Sequence, residues 1–310
     1  VTIIYINTKD NQVYLLYNIK NFNQGIKIMK IGIVGYGFVG KAVKYGFENN
    51  HAIFIYDRYM SQTLSLKEVC ERSEIIFVCL PTPFDNDTLH IDLSIMDEVI
   101  EEICSLVNDK LIVIKSTVVP GTTQSYSQKY TNNSFAFNPE FLTEKNHLHD
   151  FMHPDRIILG GDDEAITKLK ALYRSMQSFR HTNILMMSVT AAEIVKYQAN
   201  ILLATKVAIC NIFYDLCETL NEDYEMVRAG TVTDKRIGLS HTSVTKERGF
   251  GGKCFTKDLA AIIGRCKELK VDCKLLEEIF DYNLRIRKEK DWEKIPGAIR
   301  NGAKYLNDEQ

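Results

Sequence analysis

Gly35, Gly37 and Gly40 are spaced as GxGxxG, and they stand between a short apolar run, Ile31 to Val34, and a helix-like stretch, Phe38 to Glu48. No other feature of the chain narrows its fold so far. Two glycines so placed let the backbone turn sharply and lie against a ligand, and the third lets the helix close on the sheet. The first helical amides then face an anion such as a pyrophosphate. Further apolar runs at Ala52 to Tyr56, Ile75 to Leu80, Leu111 to Ile114, Ser134 to Phe137 and Arg156 to Gly160 alternate with helical stretches such as Leu93 to Val107 and Glu164 to Arg174. The alternation predicts an α/β fold, with an N-terminal Rossmann-like, doubly wound parallel sheet over residues 29–187. Asp57 ends the second run, 17 residues after Gly40. A carboxylate there accepts from both ribose hydroxyls of an adenosine, which favours NAD as the cofactor. Arg58 beside it tolerates a 2′-phosphate, so NADP stays open on these residues alone.

Beyond Ser188 the pattern changes. Val189 to Leu220 contains neither Gly nor Pro and is apolar on nearly every side. It predicts one buried helix of roughly 48 Å, too long for a single small domain to cover. The expected role is the spine of an all-helical dimerisation domain over residues 188–290, with further helices at Tyr224 to Ala229, Lys257 to Leu269 and Lys274 to Lys288. Lys196, Gln198, Asn200, Lys206 and Asn211 interrupt the apolar surface, which argues against a membrane span. Residues 291–310 read as a polar tail. Residues 1–28 open on Val1 and are crowded with Ile, Asn and Tyr. They are expected to be an upstream stretch outside the core fold, the alternative being an extra hairpin that pairs Thr2–Ile6 with Val13–Tyr17.

Thirty-eight Lys and Arg against 40 Asp and Glu leave a net charge of -2, so no nucleic-acid partner is expected. Eight cysteines include no CxxC pair, which suits neither a disulfide framework nor a zinc ribbon and points to a reducing, cytoplasmic location.

The chemistry concentrates around Cys254, in the run Arg248-Gly249-Phe250-Gly251-Gly252-Lys253-Cys254 that leads into Phe255-Thr256-Lys257-Asp258. A cysteine at a helix N-terminus and between two lysines is expected to ionise readily, as a nucleophile needs. The other seven cysteines lie in apolar patterns and read as core. On the long helix Lys196 and Asn200 are i,i+4 neighbours, and Asn211 falls near the same face. Such groups meet a ligand or each other, or else the lysine snorkels to water. Glu140 and Glu144 follow one strand end, and Ser116 and Thr117 another, where open α/β sheets hold their ligands. Solvated carboxylates and a turn threonine are the plainer readings. His147, His149 and His153, with Asp150, match no common zinc spacing, and no metal is expected.

Taken together these motifs resemble the UDP-glucose 6-dehydrogenase family, within the wider UDP-glucose/GDP-mannose dehydrogenase group. The resemblance runs from about Met29 to about Arg287 through Gly35-Tyr36-Gly37-Phe38-Val39-Gly40, Val78-Cys79-Leu80-Pro81-Thr82-Pro83, Lys115-Ser116-Thr117-Val118, Asn138-Pro139-Glu140-Phe141-Leu142, Asp155-Arg156-Ile157, Arg236-Ile237-Gly238 and Gly249 to Asp258. It implies two successive NAD-dependent oxidations of a sugar C6 alcohol, through an aldehyde to a cysteine-bound thioester, then hydrolysis to the uronic acid. UDP-glucose is the implied nucleotide-sugar substrate and UDP-glucuronate the product. By the same resemblance Cys254 is the nucleophile, Asp258 assists base chemistry around a water, and Lys196 and Asn200 stabilise the oxyanion. Glu144 and Thr117 match residues of thioester hydrolysis and water positioning. Residues implied to hold NAD are Gly35 to Gly40, Asp57, Arg58, Pro81, Thr82, Thr117 and Lys257. Glu140, Phe141, Leu142, Phe250, Gly251 and Gly252, with Lys196 and Asn200, are implied to hold the sugar. Arg236 matches an arginine that reaches the substrate from the partner subunit, which agrees with a homodimer through the 189–220 helix.

Two departures from the family pattern are present. Thr256 stands where Pro is usual, and Thr still starts a helix. Family members normally continue with a third, nucleotide-holding domain of roughly 100 residues; the expectations are a minimal form that works alone or a separate chain that supplies this domain. Two alternatives compete: a β-hydroxyacid-type dehydrogenase making a single hydride transfer, which has no use for the cysteine, and a non-catalytic NAD-binding partner subunit.

Overall fold

The structure, a computed structural model, describes residues 3–6, 14–17, 27–85, 88–295 and 298–300, the first two stretches by backbone alone. Strands β1 (Ile3–Ile6) and β2 (Tyr14–Tyr17) pair antiparallel as a two-stranded sheet of their own. The main sheet has seven strands, β3 (Lys30–Val34), β4 (Ala52–Tyr56), β5 (Ile75–Val78), β6 (Leu111–Ile114), β7 (Ser134–Phe137), β8 (Arg156–Gly160) and β9 (Asn183–Met187), in the order β4-β3-β5-β6-β7-β8-β9. The four-residue runs Ile75–Val78 and Leu111–Ile114 are buried at every position, as central strands covered on both faces require. Strand order reverses beside β3, so the turn after Val34 opens at the switch point where ligands of such sheets bind.

Five of the six strand pairs in the sheet are parallel, as expected. β8 meets β7 only at Gly160 against Phe137, antiparallel, and then pairs parallel with β9. The chain from Asn138 to Asp155 therefore stays at the carboxyl end of β7 and turns back. It carries a short helix, α5 (His147–Met152). Edge strand β9 leaves Leu185 and Met186 exposed and shows no buried alternation.

Helices α1 (Phe38–Phe47), α2 (Leu66–Arg72), α3 (Ser94–Leu106), α4 (Thr122–Lys129) and α6 (Asp163–Ser175) cover the sheet. Next comes α7 (Val189–Leu220), 32 residues without a break. Ser188 caps its start by accepting from Ala191 N, and Asn221 ends it in the left-handed region. Its length and mean hydropathy of 1.3 would let it cross a membrane, but Glu193, Lys196, Asn200 and Asn211 are all buried within the protein. The helix lies against β7 and β8 at one end and against α8 (Tyr224–Val232), α9 (Phe255–Glu268) and α10 (Lys274–Ile286) further on.

The segment expected to be a polar tail starts otherwise. Trp292 and Ala298 are buried with Ala204, Phe250, Leu259, Ile263 and Phe280 in the core of the helical region. Phe84 N donates to Ala298 O at 3.1 Å and Arg300 N to Phe84 O at 2.8 Å, tying this segment to the loop after β5. Residues 301–310 lie outside the described residues.

Candidate active site

The turn from β3 to α1 is shaped by its glycines. Gly35 has φ +91°, and a Cβ there would stand 2.6 Å from Cys79 O; Gly40 presses directly on the Gly35 carbonyl, leaving no room for a side chain. At Gly37, by contrast, a Cβ would meet nothing within 4 Å. Gly37 is the N-cap of α1, with no side-chain cap and no acidic residue in the first turn. Free helical amides above open space form a cradle suited to a pyrophosphate. Asp57 is held at the end of β4 by Tyr36 N (2.7 Å) and Tyr59 N (3.0 Å), one to each carboxylate oxygen. The Arg58 guanidinium donates to Glu98 at 2.6 Å, a pairing that opposes its use on a 2′-phosphate.

This cradle opens into a cleft of about 370 Å³ that also reaches Cys254. Gly35 to Val39, Asp57, Arg58, Pro81, Thr82, Thr117, Glu140, Cys254 and Lys257 all line it. Thr82 Oγ1 donates to Thr117 O at 2.8 Å, and Ser116 Oγ to Leu80 O at 2.7 Å, locking the two loops that form one wall.

Around Cys254 four buried side chains form two ion pairs. Lys196 Nζ donates to the Glu140 carbonyl (2.7 Å) and to its Oε1 (3.0 Å). Lys257 Nζ donates to Asp258 Oδ1 at 2.6 Å, and Asn200 Nδ2 to Asp258 Oδ2 at 2.6 Å. Burial opposes the charge on Lys196, yet Glu140 and Asp258 outweigh it and hold the ammonium above its ordinary range. The expectation of a readily ionised cysteine is overturned. Burial first, then the carboxylates of Asp258 and Glu140, raise the Cys254 thiol above its ordinary value against the pull of Lys196 and Lys257. Each lysine is already paired with a carboxylate, so neither stands as a free cation beside the sulfur. A thiol in this setting gives up its proton to a base as it attacks.

Of the two glutamates expected near the sugar, the structure brings one to the cysteine. Glu140 is 8% exposed and lines the cleft. Glu144 is exposed, and its charge acts on Lys253, the residue before the cysteine. Phe250 is buried, and Phe141 and Leu142 are half-buried with Leu142 N donating to Glu140 Oε2 at 2.7 Å. Arg236 stands 90% exposed, paired with Asp234. Asn211, expected near the Lys196 face, instead holds the cysteine loop: its Oδ1 accepts from Arg248 Nε (2.8 Å) and Gly249 N (3.2 Å). His149 on α5 and His153 just after it stack at 4.5 Å, and among the described residues no His, Cys, Asp or Glu group is arranged to hold a metal.

Lys115 escaped the sequence reading although it stood inside a quoted motif. It is buried, donates to Asn138 O (3.2 Å) and Oδ1 (3.0 Å), and burial pulls its ammonium down to about 8. Tyr173 OH donates to the same Asn138 oxygen at 2.6 Å. The network fixes the Asn138-Pro139-Glu140 turn, so Glu140 is presented by a rigid backbone.

Residues 54–177 match the profile described as the UDP-glucose/GDP-mannose dehydrogenase family, NAD binding domain, and residues 190–285 match that family's central domain. The glycine turn precedes the first match and rests on its geometry. A UDP-glucose 6-dehydrogenase of Rickettsia bellii is 34% identical over 242 residues, 73% of this chain and 55% of that protein. The chain spans about half the length of the curated relatives it matches. A UDP-glucose dehydrogenase structure from Pyrobaculum islandicum superposes with a TM-score of 0.77 at 27% identity, over 85% of this chain and 70% of that one. The 3-hydroxyisobutyrate dehydrogenase of Mycobacterium tuberculosis shares the fold, with a TM-score of 0.69 at 14% identity over 88% of this chain and 97% of that one.

Proposed function

Because the chain belongs to the UDP-glucose/GDP-mannose dehydrogenase family, we propose that it oxidises the C6 hydroxyl of a nucleotide sugar, UDP-glucose to UDP-glucuronate, with NAD and a Cys254 thioester. One observation carries this reading: a single cleft holds both the glycine cradle with Asp57 and the Cys254 corner with Glu140.

NAD accepts a hydride from the carbon being oxidised, once per step. The cradle at Gly35 to Gly40 and Asp57 suits its pyrophosphate and ribose, and the Arg58–Glu98 pair supports NAD over NADP. In the first oxidation the C6 hydroxyl proton passes to a base as the hydride leaves, giving the aldehyde. The Cys254 sulfur then bonds to the aldehyde carbon while its thiol proton passes to Glu140, which with Asp258 is one of the two buried carboxylates whose charge acts on the sulfur. Lys196 and Asn200 donate to the oxygen that carries the developing negative charge. Loss of a second hydride from the same carbon leaves a thioester. Water, deprotonated by Asp258, opens it to the acid, and the proton held by Glu140 passes to the departing sulfur to restore the thiol.

The proposed active unit is a homodimer through α7, whose exposed Leu202, Ile209, Phe213, Leu216 and Leu220 form one stripe, with Arg236 directed to the partner's substrate. Eight free cysteines accord with a reducing cytoplasm. The fold shared with 3-hydroxyisobutyrate dehydrogenase keeps a second reading in play, a single hydride transfer from a hydroxy acid. Purified chain incubated with NAD and a panel of nucleotide sugars tests both: two NADH per sugar with uronic acid formed supports the first reading, and one NADH from a 3-hydroxy acid with no sugar consumed replaces it with the second.

A further inference from the structure

Ahead of the nucleophile, the loop Arg248 to Gly252 has no secondary structure, and two of its glycines, Gly249 (φ +52°) and Gly252 (φ +73°), lie in the left-handed region. Such a loop keeps a fixed shape only if side chains from elsewhere hold its backbone. Three side chains from α10 and the segment after it do so. Asn283, fully buried, accepts from Phe250 N at 2.7 Å and donates to Phe250 O at 2.9 Å, pairing with that residue as a strand partner would. Arg287 donates from Nη1 to Arg248 O at 2.9 Å, and its Nη2 lies 3.1 Å from Asp291 Oδ2. The same Asp291 oxygen accepts from Gly252 N at 3.1 Å.

The second Asp291 oxygen is buried and makes no hydrogen bond. It lies over Gly251, where a Cβ would overlap both that oxygen and the Arg287 guanidinium. The glycine at 251 thus has a reason independent of any ligand: it lets the loop sit under the Arg287–Asp291 pair.

We propose that Asn283, Arg287 and Asp291 are positioning residues that clamp the Arg248–Gly252 loop and so fix the place of the Cys254 sulfur. This deepens the reading of Cys254 as the nucleophile and, for its catalytic part, rests on it. None of the three lines the cleft, so their action is through the loop backbone.

Two readouts on the full chain test the clamp. The first is the rate at which iodoacetamide alkylates Cys254, followed by peptide mass spectrometry so that the other seven thiols are counted apart. The second is NADH and uronic acid formation. Asp291→Ala should speed Cys254 alkylation by about tenfold, since a loosened loop exposes the thiol. It should lower acid formation by about 10²-fold, the order expected for an ångström-scale misplacement, with NAD affinity unchanged. Asp291→Asn keeps an acceptor for Gly252 N and should stay within about threefold of the parent. Gly251→Ala should reproduce Asp291→Ala, and the double variant should be no worse than either single one. Asn283→Ala should behave alike; should it fail to fold, the half-exposed Asp291 carries the test. Alkylation and acid formation both unchanged in Asp291→Ala would overturn the proposal, as would parallel losses of melting temperature and NAD affinity. If the parent shows no turnover on any nucleotide sugar, the functional reading fails while the alkylation arm still decides the clamp.

Discussion

A thiol whose proton is held by burial and by the carboxylates of Asp258 and Glu140 depends on a base, and in the proposed mechanism that base is Glu140. Glu140→Gln keeps the size and one acceptor but removes the base, and acid formation should fall by about 10²-fold or more. Glu144→Gln, out in solvent, should change it by less than about threefold; equal losses in the two variants, measured as initial NADH rates, would refute the assignment. Cys254→Ala should bind NAD normally and stop at one NADH with an aldehyde or its hydrate, and two NADH per sugar from that variant would remove the covalent step. The cysteine, the lysine and asparagine on one helical face and the glycine turn were legible in the chain because each is a local pattern. Which glutamate lines the cleft was not, since only three residues of loop separate the two and the fixing of Asn138 by Lys115 and Tyr173 sets the backbone there. His51 offers a separate test of stability. Its Nδ1 accepts from Met29 N at 3.2 Å and its Nε2 lies 2.7 Å from Ser175 Oγ, which itself donates to Leu172 O, so the bonded ring is the neutral one. Burial lowers its pKa to about 4 from 6.5. The unfolded chain then binds the extra proton first, and stability present above pH 6.5 should be lost as the pH falls toward 4, by about 3 kcal/mol at most. Urea unfolding of His51→Gln across that window should show a flatter dependence; an unchanged slope would exclude this residue.

Among the elements, α7 joins a buried polar face to an exposed apolar one. Leu202, Phe213, Leu216 and Leu220 are each between 49% and 61% exposed, and burying such side chains contributes on the order of 1.5–3 kcal/mol apiece. Sedimentation of the chain at micromolar concentration should show a dimer, and Leu216→Glu should convert it to monomer while leaving the far-ultraviolet circular dichroism unchanged. A parent that sediments as monomer would show that this stripe is covered in some other way. The length of α7 could be read directly from 32 residues without Gly or Pro, and α1, α3 and α6 from their apolar periodicity. The short helices α2, α4 and α5 could not, because six to eight residues give too few turns for a period to declare itself. The direction of β8 was hidden for a different reason: its side-chain pattern is the same whichever way it runs, and only the path from Asn138 to Asp155 sets it.

At the scale of the whole molecule, the seven-stranded sheet and the three apolar cores are built from residues between Met29 and Ile299, while β1 and β2, among the described residues, pair only with each other. A chain starting at Lys27 should therefore melt within a few degrees of the parent and bind NAD equally well, and a large drop in melting temperature would make the first residues part of the fold. The same architecture has a mechanical side. Within α7, Glu193 accepts from Gly121 N and Thr123 N at the start of α4, Lys196 grips Glu140, Asn200 grips Asp258 on α9, and Asn211 grips the cysteine loop. An unbroken helix is a stiff beam, and this one is bolted to the sheet layer at one end and to the helical layer along its middle. The two halves then have no bending point within it at which to swing apart, so traffic through the cleft falls to the loops at its rim.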